Sequence, residues 1–491
     1  MLAPHGPSRG SRFTAASDAV RRLSHASLLA AMLLGGATQA QDESRRRFLP
    51  DTVSAALRGA AIPASASAIV VLPLAPGGVT IEANESQPMN PASTMKLVTT
   101  YTALGVLGPA YTWRTEAFAT GALRRDVLEG NLLIRGGGDP KLVIENLWLM
   151  IQRIRGYGIR EIRGDVVLDR SAFEPLAHDP GDFDGERFRP YNAGPDALLL
   201  NFKAVSIGFV PDPDTRSARV VALPLLAGMK LPASVRAIDG PCGDWRARLQ
   251  ADFADPMAPV FRGAYPLSCG ERLWHLSVLD HASYFAAAFA ALWQSAGGAW
   301  TGKLRGGAVP ADARRIALHE SAPLSEVIRD VNKFSNNVMA RQVYLTVGAE
   351  ASRQPASAAR AEAAVRAWLD GRGLAMPELV LENGSGLSRT ERISAGSMAR
   401  LLRHAFASPL MPELMASLPL VGVDGTMRKR NGAAGSAHIK TGLLADVRAI
   451  AGYVHAASGR RYAVVAFINH PNAGSGQAAH DALLHWVYAN G

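Results

Sequence analysis

Three short motifs contain residue types that can carry out acyl transfer. They are Ser-x-x-Lys at Ser93–Lys96, Ser-x-Asn at Ser335–Asn337 and Lys-Thr-Gly at Lys440–Gly442, and each occurs once in the 491 residues. A serine hydroxyl is a weak nucleophile at neutral pH and needs a base within hydrogen-bonding distance. Residues three apart at a helix start share a face, so the first motif predicts the Lys96 amine beside the Ser93 hydroxyl.

The other motif residues suit proton transfer. A lysine acts as a base only when its pKa falls toward neutrality, which burial and a second cation achieve, and Lys440 is the candidate cation. Ser335 can pass a proton between Lys96, Lys440 and a leaving amine. The predicted catalytic residues are therefore Ser93, Lys96, Ser335 and Lys440.

Further motif residues are predicted to hold a substrate. Asn337 can pair with a substrate amide through both its donor and its acceptor. The strand with the Lys-Thr-Gly motif suits a substrate carboxylate at Thr441, and Gly442 would leave room for the substrate backbone to pair alongside. The backbone N–H groups of Ser93 and Leu443 are predicted to meet the oxyanion, at about 2.7 to 4 kcal/mol per donor.

Hydrophobic periodicity and turn residues predict the elements that position these motifs. Ser93 begins a helix that ends before Gly108, and Ser335 lies in a loop between two helices. Strands are predicted over 66–74, 78–84, 437–444, 447–455 and 461–469, and helices over 48–59, 281–294, 322–331, 338–347 and 477–488. The pattern predicts an α+β fold, an antiparallel sheet flanked by helices plus a helical cluster.

The length suggests about three domains. Residues 113–280 change to short strands and turns, which predicts a large strand-rich insertion of two small subdomains between the first and second motifs. Residues 41–112 and 281–491 are assigned to the catalytic domain. The glycine-rich segment Gly136–Pro140 lacks a following Gly-Lys-Ser/Thr, so a tight turn is favoured over a phosphate-binding loop.

The first residues predict export. Arg21 and Arg22 precede an apolar stretch over 26–37, and small residues at 38–40 suit a signal peptidase, which predicts a signal peptide over 1–40. The apolar stretch is shorter than the roughly 18 to 20 residues that a transmembrane helix needs, and no later segment reaches that length. The sequence predicts a periplasmic protein without a transmembrane anchor. A buried N-terminal helix is disfavoured by the polar residues 41–47.

Cysteine content agrees with an oxidising compartment. Cys242 and Cys269 are the two cysteines of the chain, and an even number in an exported protein predicts one disulfide. No His or Cys lies at ligand spacing from them, so a metal site is not predicted.

The charge of the chain gives little support to nucleic-acid binding. The formal net charge is +10, but the arginines are dispersed, and no zinc-finger spacing or RNA-binding signature is present. A basic surface would still suit a polyanionic cell wall. No motif implies a cofactor.

The order and spacing of the motifs resemble the low-molecular-mass class C, type-4 penicillin-binding proteins, which are D-alanyl-D-alanine carboxypeptidase/endopeptidases. Similar segments are 136–140, 164–169, 190–193, 384–389 and 424–426. The resemblance implies a serine β-lactamase/transpeptidase-like catalytic fold, peptidoglycan stem peptides and cross-links as substrates, and β-lactams as covalent inhibitors. It also implies that Asp169 contacts the amino end of a diaminopimelate side chain and that Arg389 lines the cleft.

Two positions depart from that family pattern. Leu443 stands where Thr or Ser usually follows Lys-Thr-Gly, which removes a hydroxyl near the substrate carboxylate, and Asn383 replaces a common Asp. Two alternatives stay open. One is a β-lactamase, which the large insertion and the lack of a recognisable deacylating Glu motif disfavour. The other is a non-catalytic wall-binding protein, which the intact motifs disfavour.

Overall fold

The computed structural model describes residues 49–491, so the predicted signal peptide lies outside the described residues. The helices are α1 (Asp51–Gly59), α2 (Lys96–Leu107), α3 (Ile144–Gly156), α4 (Trp245–Leu249), α5 (His281–Ser295), α6 (Leu324–Lys333), α7 (Asn337–Ser352), α8 (Ala358–Asp370), α9 (Ala395–Phe406), α10 (Met411–Ser417) and α11 (Gln477–Asn490). A 3-10 turn over Ala92–Met95 leads into α2.

The strands are β1 (Ser67–Pro73), β2 (Ile81–Ala83), β3 (Pro88–Met89), β4 (Arg114–Ala119), β5 (Ala122–Arg124), β6 (Val127–Glu129), β7 (Leu132–Gly136), β8 (Glu161–Ile162), β9 (Val166–Asp169), β10 (Val205–Asp212), β11 (Ser217–Leu223), β12 (Ser234–Ile238), β13 (Ala251–Asp252), β14 (Val260–Phe261), β15 (Tyr265–Pro266), β16 (Arg272–Leu276), β17 (Ala299–Trp300), β18 (Leu304–Gly306), β19 (Arg314–Glu320), β20 (Ile393–Ser394), β21 (Ala437–Leu443), β22 (Val447–His455) and β23 (Arg461–Asn469).

A five-stranded antiparallel sheet forms the centre of the catalytic part, in the order β2-β1-β23-β22-β21. β22 and β23 are nearly continuous apolar runs because both of their faces are buried. β21 lies at the edge, so one side of its backbone is not paired with another strand of this sheet. This arrangement confirms the predicted α+β fold.

Helices cover both faces of the central sheet. One face packs against α2 and α6–α10, in a core that includes Val98, Val343 and Ala451. The other face packs against α1 and α11, in a core that includes Ile439 and Leu483. The first motif therefore lies on one face of β21, and α11 lies on the other.

The inserted region contains more helix than the sequence analysis predicted. Its two larger sheets have the orders β18-β9-β7-β4-β19 and β15-β12-β11-β10-β16. They share a hydrophobic core with α3, which was not predicted. Leu147, Met150, Ile151 and Ile154 of α3 are buried with helical spacing, so the periodic signal was present in the sequence.

The C-terminal boundary of the inserted region was predicted at residue 280. The packing of α5 and β19 favours a later position. α5 lies in the core of the inserted sheets through Phe285, Phe289 and Trp293. β19 pairs with β4 from Arg314 to Glu320. We therefore place the boundary near residue 320 instead of 280.

The predicted disulfide is present: Cys242 and Cys269 are bonded, with Cα atoms 4.8 Å apart. It joins the segment after β12 to the turn before β16, inside the inserted region. Within residues 49–491, the helices are all too short or too polar to cross a membrane.

Candidate active site

Ser93 and Lys96 meet at the start of α2 as the motif predicts. The Lys96 Nζ lies 2.9 Å from the Ser93 Oγ. Lys96 is fully buried, whereas Ser93 is half-buried and lines a cavity of about 710 Å³. The hydroxyl is thus accessible while its neighbouring amine is shielded from solvent.

Two further acceptors surround the Lys96 amine. Lys96 Nζ donates to Asn337 Oδ1 at 2.7 Å and to the Ser385 carbonyl at 2.5 Å. Asn337 begins α7, and Asn336 caps that helix by accepting from the Met339 N–H at 3.0 Å. The second motif therefore reaches the first through a hydrogen bond.

The carbonyl of Ser385 is held in place by a buried carboxylate. Glu391 accepts hydrogen bonds from the backbone N–H groups of residues 382, 383, 384 and 386 at 2.8 to 3.2 Å. Burial raises the pKa of Glu391. Gly386 is required in this turn, since a Cβ there would lie 1.9 Å from the Ala92 carbonyl oxygen.

Lys440 of the third motif contacts Ser335 of the second motif. Its Nζ donates to Ser335 Oγ at 2.9 Å and to the Thr441 carbonyl at 2.7 Å. Ser335 has a φ of +57°, a left-handed conformation that places it between α6 and α7. Backbone strain of this kind costs about 1 to 3 kcal/mol and clusters at functional sites.

Burial lowers the pKa of both lysines. Desolvation, followed by the charge of Lys440, holds the pKa of Lys96 well below its usual range. Burial lowers the pKa of Lys440 to about 7. A neutral Lys96 can accept the Ser93 proton, and a charged Lys440 can stabilise an anion.

Gly442 lets β21 approach the turn that holds Ser93, which differs from the predicted reason for a glycine. A Cβ at Gly442 would lie 2.7 Å from the Pro91 carbonyl oxygen and 3.0 Å from the Ala92 Cβ. The missing side chain therefore makes room for protein, on the face of β21 that also carries Lys440.

The unpaired edge of β21 presents the backbone N–H of Leu443 to the cleft. Leu444 N–H donates to the Val447 carbonyl at 2.9 Å, toward β22, whereas Ile439 N–H donates to the Pro419 carbonyl at 2.8 Å, away from β22. Backbone groups alternate along a strand. The Leu443 N–H therefore points away from β22, as an oxyanion donor would.

Phe183, Asp184 and Tyr191 of the inserted region and Arg389 of the catalytic part also line this cavity. The Arg389 guanidinium lies 4.4 Å from the centre of the Phe183 ring and 3.5 Å from Asp446 Oδ1. The Asp184 carboxylate accepts from the Tyr191 hydroxyl at 2.8 Å. The lining of the cavity therefore includes both a cation and a carboxylate.

Asp169 does not reach this cavity. It is almost fully buried, accepts from the N–H groups of Ser171 at 3.0 Å and Val309 at 2.9 Å, and lines a separate cavity. Burial alone would raise the pKa of Asp169, but these hydrogen bonds lower it. Asp169 is therefore buried away from the cavity that contains Ser93, and the structure does not bring it to the predicted substrate contact.

Sequence reasoning missed several residues of the site. Asp184 and Tyr191 lie in the inserted region, the Ser385 carbonyl accepts from Lys96, and Glu391 holds the turn that contains Ser385. The Thr441 hydroxyl donates to Thr426 Oγ1 at 2.8 Å. The family resemblance of segments 190–193, 384–389 and 424–426 is the sequence signal for Tyr191, Ser385 and Thr426, whereas Asp184 and Glu391 lie outside these segments.

An antiparallel sheet with a Ser-x-x-Lys helix on one face, a Ser-x-Asn loop and an edge Lys-Thr-Gly strand defines a penicillin-binding serine hydrolase. The model of the D-Ala-D-Ala carboxypeptidase 3 (S13) family matches residues 49–489, and the chain belongs to this family. The resemblance inferred from the motifs is therefore confirmed.

Individual relatives agree with this assignment. The chain is 30% identical over 460 residues to a D-alanyl-D-alanine carboxypeptidase of Actinomadura sp. strain R39, covering 87% of this chain and 82% of that protein. It is 25% identical over 391 residues to D-alanyl-D-alanine carboxypeptidase DacB of Haemophilus influenzae, covering 79% and 81%. The crystal structure of penicillin-binding protein 4 from Haemophilus influenzae shares the fold, with a TM-score of 0.74 and 24% identity over 90% of this chain and 100% of that one.

Proposed function

We propose that this chain hydrolyses D-alanyl-D-alanine bonds through an acyl-enzyme on Ser93, and that β-lactams acylate the same serine. The observation that carries the proposal is the 2.9 Å contact between the Ser93 hydroxyl and a buried lysine of lowered pKa. Membership of the S13 family supports it.

Acylation begins when Ser93 Oγ attacks the carbonyl carbon and its proton passes to Lys96. The backbone N–H groups of Ser93 and Leu443 stabilise the oxyanion. Ser335, beside Lys440, delivers a proton to the leaving nitrogen and takes the proton that Lys96 received, so the C–N bond breaks and Lys96 is neutral again. Water then attacks the ester, with Lys96 accepting its proton and returning it to Ser93 Oγ as the acid is released.

Substrate binding is proposed for residues around this centre. Asn337 holds a substrate amide, and Thr441 with Lys440 attracts the terminal carboxylate. A substrate strand pairs with the free edge of β21 at Gly442 and Leu443. We assign recognition of a positively charged side chain in the acyl part to the exposed Asp184, which lines the same cavity as Arg389, in place of Asp169.

The natural substrate is proposed to be peptidoglycan, as stem peptides and as cross-links, in the periplasm. The sequence pattern of residues 1–40 supports export. Relatives named as carboxypeptidases support the activity. Endopeptidase action on cross-links is part of the proposal, because the cavity extends beyond Thr441.

Intact-mass measurement with benzylpenicillin tests the proposal. The wild-type protein should gain one long-lived adduct that peptide mapping places on Ser93. Ser93→Ala should show none, whereas the matched control Ser65→Ala, at an exposed serine before β1, should be labelled as the wild type is.

Each other result rejects a specific part of the proposal. An adduct on another serine refutes the nucleophile assignment. Rapid turnover to hydrolysed penicillin favours the β-lactamase alternative. No adduct in folded wild-type protein favours the non-catalytic alternative.

A further inference from the structure

The cavity that contains Ser93 continues around the edge of β21 to the face covered by α11. Side chains alternate along a strand, so Thr441 and Leu443 lie on the same face of β21 as Ile439. Ile439 packs with α11. We call this continuation of the cavity the basic recess. It is lined by Thr426, Lys429, Arg430, Arg448, Gln477 and His480.

Positive charge exceeds negative charge in the basic recess. Arg430 is paired with Asp481, with 2.7 Å between Nε and Oδ1. Arg448 donates to Gln477 Oε1 and to the Ala473 carbonyl, both at 3.1 Å. Among the described residues, neither Arg448 nor the exposed Lys429 has a carboxylate within ion-pair distance. Within residues 49–491, Arg448 and Lys429 therefore make no direct ion pair, and Asp481 is bonded to Arg430.

His480 gives a second, independent indication of a ligand. It is 1% exposed, and neither ring nitrogen has a hydrogen-bond partner within residues 49–491. Burial, followed by the charges of Arg430 and Arg448, lowers the pKa of His480 to about 3, so the ring is neutral and retains one N–H donor. A buried donor without a partner is uncommon and costs about 1 to 3 kcal/mol, which an acceptor on a ligand would offset.

The free edge of β21 is too short for a long leaving group. Pairing antiparallel to β21 would place the acyl part of a substrate beyond Leu443 and the leaving group beside Thr441. The edge is already covered at Ile439 by Pro419 and at His438 by Leu420. Any part of the leaving group that extends past the carboxylate next to the scissile bond, including a side chain, must turn away there, where Thr426 and Lys429 border the basic recess.

We propose that the basic recess binds a second carboxylate on the leaving group, so that the enzyme prefers acidic peptide leaving groups over uncharged ones. This inference rests on the proposed function. It assigns Lys429, Arg448 and His480 to substrate specificity, away from the reacting atoms. The preferred substrates would be cross-linked peptides whose leaving strand carries carboxylates beyond the one next to the scissile bond.

Two peptides that differ by one carboxylate test the inference. Both have the same acyl part ending in D-alanine, and the leaving residue is D-glutamate in one and D-glutamine in the other. The wild-type kcat/KM should be about tenfold higher for D-glutamate, the size expected for a hydrogen bond to a charged group. Lys429→Gln and Arg448→Gln should each reduce that ratio toward one, and Arg448→Lys should restore part of it.

The controls separate this inference from the proposed function. Arg58→Gln removes the same charge from an exposed position on α1 outside the cavity, and it should keep the wild-type ratio. Lys429 is exposed, so Lys429→Gln leaves the core intact. A wild-type ratio near one, or a ratio unchanged in both Lys429→Gln and Arg448→Gln, would overturn the inference while penicillin acylation of Ser93 remained. Loss of acylation in the wild type would instead reject the proposed function.

Discussion

Replacing Leu443 by threonine should strengthen carboxypeptidase activity. Leu443 is 62% exposed and lies two residues after Thr441 on the same strand face. The Thr441 hydroxyl already contacts Thr426 at 2.8 Å. A second hydroxyl at position 443 would therefore give the substrate carboxylate a donor that it now lacks.

The expected change in kcat/KM follows from the exposure of Leu443 and the charge of the substrate carboxylate. Removing an exposed leucine from the edge strand should change stability by less than about 0.5 kcal/mol. A hydrogen bond to a charged group contributes about 1.5 to 3 kcal/mol, so kcat/KM for a D-alanyl-D-alanine peptide should rise about tenfold or more. The kcat/KM for cleavage of cross-links should rise less, because the rest of a cross-linked leaving group contacts residues other than the one at position 443.

Leu443→Val is the matched control because valine has the shape of threonine with a methyl in place of the hydroxyl. Steady-state rates for the wild type and both variants would be measured on a D-alanyl-D-alanine peptide and on cross-linked muropeptides. Equal rates in the threonine and valine variants, or equal gains on both substrates, would show that the hydroxyl is not the missing element.

Two further predictions concern the pH dependence of acylation and the stability of the fold. The kcat/KM for acylation by benzylpenicillin should rise as Lys96 loses its proton and fall above pH about 7 as Lys440 loses its charge, since burial lowers the pKa of Lys440 to about 7. A rate that keeps rising through pH about 9 would contradict this assignment. Replacing Cys242 and Cys269 by serine should lower the free energy of unfolding by about 3 to 4 kcal/mol in urea titration, given the separation of 27 residues. Acylation of Ser93 should persist, and its loss would link the inserted region to catalysis.

Local patterns predicted the parts of the fold that depend on neighbouring residues. The strands β21, β22 and β23 were predicted to within one residue because apolar runs mark them. The 2.9 Å contact between Ser93 and Lys96 follows from their spacing at a helix start. α3 was missed although its period was present, because the surrounding short strands dominated the pattern.

Long-range packing explains what the sequence could not predict. Asp169 and Asp184 are both acidic residues of the inserted region, and only the fold places one inside the protein and the other at the cleft. The position of Gly442 against the Pro91 carbonyl depends on how β21 meets α2. The basic recess joins side chains from segments 426–430, 448 and 477–480, and no local spacing relates them.

The surroundings of Lys96 indicate which form of the amine the site favours. A neutral amine has two N–H donors and one lone pair, whereas an ammonium has three donors. Asn337 Oδ1 and the Ser385 carbonyl are two acceptors that cannot donate, so they take the two N–H bonds of the neutral amine. The lone pair is then left for the Ser93 hydroxyl. Asn337 and Ser385 can thus orient the base as well as hold it, and Asn337 connects base orientation with substrate binding in one side chain.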